Sequence, residues 1–117
     1  MKKVKIDITT ITDGSGTGYG SAEVGLVYAV QLVDGDLADG VDVTLTSEHE
    51  NLSIPILVKA DFNTDQMVYP RVLEALNTDG TDLSTYAFPL CYGRLKVVLA
   101  AGGAVKSGSV IVYLMDV

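Results

Sequence analysis

Asp-Gly dipeptides divide this chain into short segments, and no other feature of the sequence constrains the fold as strongly. They occur at residues 13–14, 34–35, 39–40 and 79–80. An Asp-Gly pair readily adopts the positive φ angles of tight turns. The intervening runs are rich in Val, Ile, Thr and Tyr, which suit the pleated surface of a sheet. The sequence therefore predicts many short strands joined by turns.

Two of these runs alternate between apolar and polar residues, which is the pattern of a half-buried strand. One covers residues 3–9 and the other residues 41–46. Further runs of ordinary strand length lie at 54–58, 86–90 and 94–100. The alternation predicts that one set of side chains points inward: Val4, Ile6, Ile8, Val43, Leu45, Val97, Leu99, Val110 and Val112.

Two other runs, residues 26–33 and 110–117, are apolar on both faces and should lie mid-sheet or under a partner chain. Evidence for helix is confined to residues 72–76, which follow Pro70 closely. The Gly-rich stretch 13–21 is interpreted as a long hairpin loop. Together these features predict an all-β protein, an antiparallel β-sandwich or jelly roll of about seven or eight strands. Residues 1–117 should form a single domain.

The composition argues against several classes of partner. The chain has 117 residues, 15 Asp and Glu against 8 Lys and Arg, and a formal net charge of -7. That charge disfavours nucleic acid, whose phosphates are held by clustered cations. The longest apolar stretch, residues 24–33, is far shorter than a membrane span. The single Cys excludes a disulfide framework. We therefore expect neither nucleic acid nor membrane as a partner.

Two clusters invite a ligand but lack the required spacing. The run 14–20 alternates Gly with other residues, whereas dinucleotide and Walker loops need different spacings. Six acids, namely Asp34, Asp36, Asp39, Asp42, Glu48 and Glu50, lie between positions 34 and 50 without a basic residue. Counted from Asp34, the EF-hand positions five and twelve fall on Ala38 and Leu45. Solvated acids around turns are favoured over a looser calcium site, and we predict no metal and no cofactor.

Nothing in the sequence selects catalytic residues. His49 is interpreted as an exposed loop residue, and Cys91 lies in an apolar setting without a nearby cation, which favours a buried thiol. Among the 15 acids no catalytic pair stands out. The six tyrosines favour either the core and a subunit contact, or the exposed platforms of a carbohydrate-binding module. We therefore predict that the protein is not an enzyme.

Several segments together carry a family resemblance. They are Thr12-Asp13-Gly14-Ser15-Gly16, residues 37–46 (LADGVDVTLT), Tyr69-Pro70-Arg71, residues 94–103 (RLKVVLAAGG) and Lys106-Ser107-Gly108. In this order the chain resembles small structural proteins of tailed bacteriophages, found among their head and morphogenesis proteins. The segment Glu48-His49-Glu50-Asn51 departs from that pattern. The resemblance implies no catalytic residues.

What the resemblance implies is a non-enzymatic virion protein, made in the host cytoplasm and bound to the capsid as a decoration or cement protein. The expected partners are the major capsid protein or other virion proteins, with a homotrimer favoured. The alternatives are a neck, tail or spike-base component and a carbohydrate-binding module. Residues 1–10 are interpreted as an N-terminal arm or edge strand that contacts a partner through Lys2, Lys3, Val4, Lys5, Ile6 and Ile8.

Overall fold

The computed structural model describes residues 1–73 and 86–115, which form strands and no helix. Within these ranges, no helix is long and apolar enough to cross a membrane. The nine strands are β1 (Lys2–Thr9), β2 (Gly16–Val33), β3 (Val41–His49), β4 (Leu52–Phe62), β5 (Gln66–Val68), β6 (Val72–Leu73), β7 (Tyr86–Ala87), β8 (Leu90–Ala100) and β9 (Ser107–Met115).

One antiparallel sheet contains seven of these strands. Six follow the order β1-β9-β2-β8-β3-β4, and β5 pairs with β2. The strand β2 has 18 residues and joins the two halves of the sheet, because residues 16–26 pair with β8 and residues 26–33 pair with β9. The strands β6 and β7 form a separate pair. The prediction of an all-β, antiparallel, sandwich-like fold is confirmed, with one continuous sheet in place of two separate ones.

The two halves of the sheet meet where β1 packs against the start of β2. Here Gly16, Gly18 and Gly20 have no side chain, and the space is taken by the apolar side chains of β1. A Cβ added at Gly18 would lie 2.7 Å from Cγ1 of Ile8 and 3.0 Å from Cγ2 of Ile6. The prediction of a loop over residues 13–21 is therefore wrong from Gly16 onward, because the alternating glycines belong to a strand that needs to be bare on one face.

The core is one cluster that draws residues from both halves of the sheet. All nine side chains predicted to point inward are at most 7% exposed. Phe62, Leu95 and Cys91 join them, each no more than 2% exposed. Burying a side chain of Leu or Val size stabilises the fold by about 1.5–3 kcal/mol. The period-two alternation thus identified the interior correctly.

The two runs that are apolar on both faces lie mid-sheet. The strand β9 is flanked by β1 and β2, and β2 is flanked by β9 and β8. Val110, Ile111, Val112 and Leu114 are all buried within the chain. On the outer face, the Tyr113 hydroxyl donates to Oε1 of Gln31 at 3.0 Å. The run from Val110 to Met115 is thus largely covered within the chain, whereas Tyr28 of the run 26–33 is 38% exposed. Residues 116–117 lie outside the described residues.

Two local predictions need correction near Pro70. The predicted helical turn over 72–76 is wrong at residues 72–73, which form β6 and pair with β7, while 74–76 lie outside the described residues. The predicted strand 86–90 is interrupted, since β7 ends at Ala87 and β8 begins at Leu90. Pro89 lies in the gap, and a proline lacks the N–H that a sheet ladder requires.

We expect Gly18→Ala to lower the free energy of unfolding by about 1–3 kcal/mol, because the new methyl group overpacks the contact with Ile8 and Ile6. Urea denaturation measures the change, and Thr17→Ala on the exposed neighbouring position is the matched control. In the double variant Gly18→Ala/Ile8→Ala the cost should be less than the sum of the single costs. A Gly18→Ala protein as stable as the parent would show that the strands do not meet here.

Candidate functional site

An exposed row of apolar side chains runs along the strands β2 and β8. Val24 lies opposite Tyr92 and Leu26 opposite Leu90 in the register of the sheet. Val24 is 62% exposed, and Leu90 and Tyr92 are 43% and 42% exposed. We call the set Val24, Leu26, Tyr28, Phe88, Leu90 and Tyr92 the exposed ladder. Within it, Leu26 and Phe88 are half-buried, and Phe88 lies just before β8. A contiguous apolar surface of this kind marks a contact site more often than single exposed residues do.

Strand geometry places the exposed ladder on the outer face. Successive side chains of a strand point to opposite faces. Cys91 and Leu95 of β8 are buried in the core, so Leu90 and Tyr92 face outward. A register shift between Tyr19 and Ala22 separates this part of β2 from the glycine segment that packs on β1. The same two strands therefore carry the structural junction at one end and the exposed ladder at the other.

Aromatic rings and one arginine form one end of the exposed ladder. Tyr28 contacts Tyr69 edge to face, with ring centroids 5.9 Å apart, and Phe88 at 6.2 Å. The Arg71 guanidinium carbon lies 4.1 Å from the Phe88 centroid, within the range of a cation–π contact. Arg71 Nη1 also donates to the carbonyl oxygens of Tyr28 at 3.1 Å and Pro70 at 2.6 Å. These contacts hold the rings in a fixed arrangement.

A cleft lies at the opposite end of the exposed ladder. It is a solvent-open depression of about 290 Å³ lined by Ala22, Glu23, Val24, His49, Tyr92 and Gly93. The rings of His49 and Tyr92 are 4.7 Å apart and stand at 77° to each other. We call this the Tyr92 cleft. It combines an aromatic wall, an aliphatic wall and a small number of polar groups, which is the usual make-up of a small-molecule site.

The carboxylate of Glu23 is held in place beside the Tyr92 cleft. Lys2 Nζ lies 2.7 Å from Oε1 of Glu23, and the Ser21 hydroxyl donates to the same oxygen at 2.8 Å. The hydrogen bond from Lys2 and then that from Ser21 lower the pKa of Glu23, so it is ionised at neutral pH. Glu48, on the adjoining strand β3, lies 3.2 Å from Lys96 Nζ and 3.7 Å from Arg94.

Several acidic residues of the segment 34–50 take part in hydrogen bonds that connect distant parts of the chain. Asp36 Oδ1 accepts from the Ser107 amide at 2.6 Å, and Asp42 Oδ1 accepts from the Asp61 amide at 3.1 Å. The Asp34 amide in turn donates to Asp65 at 2.7 Å. Residues 1–73 and 86–115 contain no group of three or more metal-ligating side chains placed to hold an ion. The absence of a metal stays a prediction, tested below.

The structure revises the interpretation of His49 and supports that of Cys91. His49 is the last residue of β3 and is half-buried against Tyr92, so it is not an exposed loop residue. Cys91 is fully buried, and burial raises the pKa of its thiol to about 11. A thiol with that pKa remains protonated at neutral pH and is a poor nucleophile.

Most tyrosines lie at the surface rather than in the core. Five of the six are between 38% and 68% exposed, namely Tyr19, Tyr28, Tyr69, Tyr86 and Tyr92. The prediction of rings in the core is therefore wrong for most of them, whereas a subunit contact and a carbohydrate platform both stay predictions. Tyr19 is covered on one side by Arg94, whose guanidinium carbon is 3.9 Å from the ring centroid.

The predicted partner-binding residues separate into two groups. Val4, Ile6 and Ile8 are 7%, 1% and 2% exposed in the chain's own core, so they are not available to a partner. Their strand β1 pairs with β9 along its whole length as an edge strand, not as a free arm. Lys3 and Lys5 remain exposed on the other face. Lys2 lies on the same face as Val4, at the end of β1, and pairs with Glu23. The apolar half of the predicted contact is thus wrong.

Sequence reasoning missed the exposed ladder, although a signal was present. Residues 24, 26 and 28 and residues 88, 90 and 92 are apolar at alternate positions. The alternate positions 25, 27 and 91 are also apolar or Gly, so periodicity alone did not identify which face is buried. Only the register between β2 and β8 shows that the two apolar rows are neighbours.

We expect Asp34→Asn to stabilise the protein at neutral pH. Asp34 Oδ1 is buried and receives no hydrogen bond in the described part of the chain. Burial, and then the charges of Asp39, Asp65 and Asp36, raise the pKa of Asp34 above 3.8. The ionised form therefore destabilises the native state above the folded pKa, and this effect disappears as the pH falls through it.

The urea midpoints of Asp34→Asn and the parent should accordingly differ at pH 7 and converge below pH 3.8. Glu50→Gln, which removes one exposed negative charge, is the control for net charge. A gain from Asp34→Asn that is equal to that of the control, or that persists at low pH, would contradict the assignment.

We also expect a chelator to leave the melting temperature unchanged, because the carboxylates of Asp36 and Asp42 already accept backbone hydrogen bonds. A ligand bound only to the native state raises its stability by RT ln(1 + [L]/Kd), so removal of a tight metal lowers the melting temperature. Differential scanning calorimetry with EDTA and then with added Ca²⁺ measures this. A shift of several degrees in either scan would show that a metal site exists.

No family model, no curated protein and no solved structure matches this chain.

Proposed function

We propose that this chain is a non-enzymatic structural protein of a tailed bacteriophage virion, a capsid decoration or cement protein that binds the head lattice. The observation that carries the proposal is the exposed ladder. Val24, Leu90 and Tyr92 leave a contiguous apolar surface on a chain with a net charge of -7. Such a surface favours attachment to another protein.

The segments that carry the phage resemblance are structurally connected. The Gly102 amide donates to the Gly14 carbonyl at 2.9 Å, and the Ala38 amide donates to the Gly102 carbonyl at 2.9 Å. Three of the resembling segments, at residues 12–16, 37–46 and 94–103, therefore meet in one corner. A fourth, Tyr69-Pro70-Arg71, lies at the aromatic end of the exposed ladder. Three of the segments that carry the resemblance thus contact one another in the folded chain.

The proposed partners are the major capsid protein or other virion proteins, contacted through the exposed ladder. Aromatic side chains and arginine are enriched at the centres of protein interfaces, and this surface contains both. Lys3 and Lys5 on the outer face of β1 add a small basic strip that would pair with acidic patches on a neighbour. A trimer suits the threefold positions of a capsid lattice. A neck, tail or spike-base position is the alternative within the virion.

To test the proposal, we expect the double variant Val24→Thr/Leu90→Thr to fold normally and to lose association with phage particles. Both side chains are exposed, so the free energy of unfolding should change by less than about 0.5 kcal/mol at each site. Co-sedimentation of a tagged chain with purified particles measures association. The loss follows because truncating interface side chains removes the apolar contact.

Val58→Thr is the matched control, since Val58 is 74% exposed on the edge strand β4, away from the exposed ladder. A second variant, Lys3→Gln/Lys5→Gln, tests the basic strip separately. Normal incorporation of the ladder variant would refute docking through this face. Failure of the parent chain itself to sediment with particles would refute the virion assignment.

A second candidate function, carbohydrate binding, is favoured by one specific observation. Tyr69, Tyr86 and Tyr92 present rings that are 57%, 68% and 42% exposed. Exposed aromatic rings provide an apolar surface beside polar groups, which is what a sugar ring requires.

A further inference from the structure

We infer that the Tyr92 cleft binds one neutral hexopyranose unit of a glycan. The inference makes the carbohydrate-binding candidate specific to one place in the fold, and it does not depend on the virion assignment. The cleft shares Val24 and Tyr92 with the exposed ladder, so a bound sugar would occupy one end of the proposed docking face.

The walls of the cleft match the two surfaces of a pyranose ring. Such a ring has an apolar face of C–H groups and a rim of hydroxyls. Tyr92 and His49 stand at 77° with centroids 4.7 Å apart, so they form the corner of a recess. Val24, at 62% exposed, adds an aliphatic wall. The sugar's C–H face would lie against these apolar groups, while its hydroxyls reach the polar ones.

The polar groups of the cleft suit hydroxyls. Lys2 and Ser21 both engage Oε1 of Glu23, and no described residue donates a hydrogen bond to Oε2. Glu23 lines the cleft, and we take Oε2 as the acceptor for a sugar hydroxyl because it is the oxygen of Glu23 without a donor among the described residues. A bond to a charged acceptor is stronger than a neutral one. The imidazole of His49 supplies both a donor and an acceptor when neutral. Glu23 is already oriented by its two partners, so little ordering is needed on binding.

Gly93 lines the recess without a side chain, and the backbone of β3 approaches it closely. Gly93 has a φ of 110°, and a Cβ there would overlap the carbonyl oxygen of Glu48. No side chain therefore rises from this position between Tyr92 and Arg94. The volume of about 290 Å³ is at the lower end of the range for small-molecule sites, which fits one ring and not a larger ligand.

The negative charge of Glu23 in the cleft favours a neutral sugar over an acidic one. Glu23 lines the cleft and Glu48 lies on the adjoining strand, while Lys2, Lys96 and Arg94 are engaged with these two carboxylates. An anionic ligand would meet the carboxylate of Glu23 without an unpaired cation from a described residue lining the cleft. Like charges in contact oppose binding, so uronic acids and sugar phosphates are disfavoured.

The test is nuclear magnetic resonance titration of the isolated chain with glucose, galactose, mannose and N-acetylglucosamine oligomers, and with galacturonic acid as the acidic comparison. We expect at least one neutral sugar to shift the amide signals of Ala22, Val24, His49 and Gly93, with a Kd on the order of 1 mM, as a single-ring contact allows. Tyr92→Ala should weaken binding by at least about tenfold. Tyr86→Ala, which removes a more exposed ring outside the cleft, should leave it unchanged.

Three results would overturn the inference: no shift with any neutral sugar at about 50 mM, shifts centred on other residues, or equal binding of galacturonic acid. Urea denaturation of Tyr92→Ala checks that the variant is folded, and Glu23→Gln, which keeps the side-chain shape, provides a second test of the acceptor. Because the titration contains no particles, its failure leaves the virion proposal standing. Failure of particle association likewise leaves the sugar result unaffected.

Discussion

The contact between the strand β1 and the glycines of β2 is the constraint on which the rest of the structure depends. A Cβ at Gly16, Gly18 or Gly20 would lie within 3.1 Å of an Ile8, Ile6 or Val4 side-chain atom. Interiors are close-packed, so a side chain on this face of β2 would hold the two halves of the sheet apart. With the face bare, β1 closes over β2, and one continuous sheet encloses one core.

The inward face of the strands was predictable from sequence, and the outer surface was not. Val43, Leu45, Val97 and Leu99 alternate with polar neighbours or lie in runs of ordinary strand length, and burial follows from that pattern. The glycine content at the start of β2 predicts a loop. The strict alternation of these glycines instead fits a strand with one bare face. Glycine in a strand marks the close approach of another backbone or side chain, which is its role here.

The candidate site could not be predicted because it depends on register between distant segments. Val24 and Tyr92 are 68 positions apart in sequence and become neighbours only when β2 pairs with β8. His49 reaches the same cleft from the end of a third strand. A period-two pattern tells which residues share a face of one strand, but it contains no information about which strand lies beside it. For the same reason, the acids of 34–50 are predicted to be solvated, whereas Asp36 and Asp42 accept hydrogen bonds from the distant Ser107 and Asp61 amides.

The exposed ladder and the Tyr92 cleft share a rigid foundation, and this bears on how either would bind. The strands β2 and β8 pair over residues 16–26 and 90–99, and the side chains behind the ladder, such as Cys91 and Val27, are completely buried. A surface built on such strands pays little conformational entropy when it meets a ligand. Two other exposed valines do not have this setting: Val58 lies on the edge strand β4, and Val98 neighbours Thr17 and Thr44 in the sheet. Continuity and rigidity, rather than exposure alone, therefore distinguish the ladder from the other exposed apolar residues and support it as the proposed contact surface.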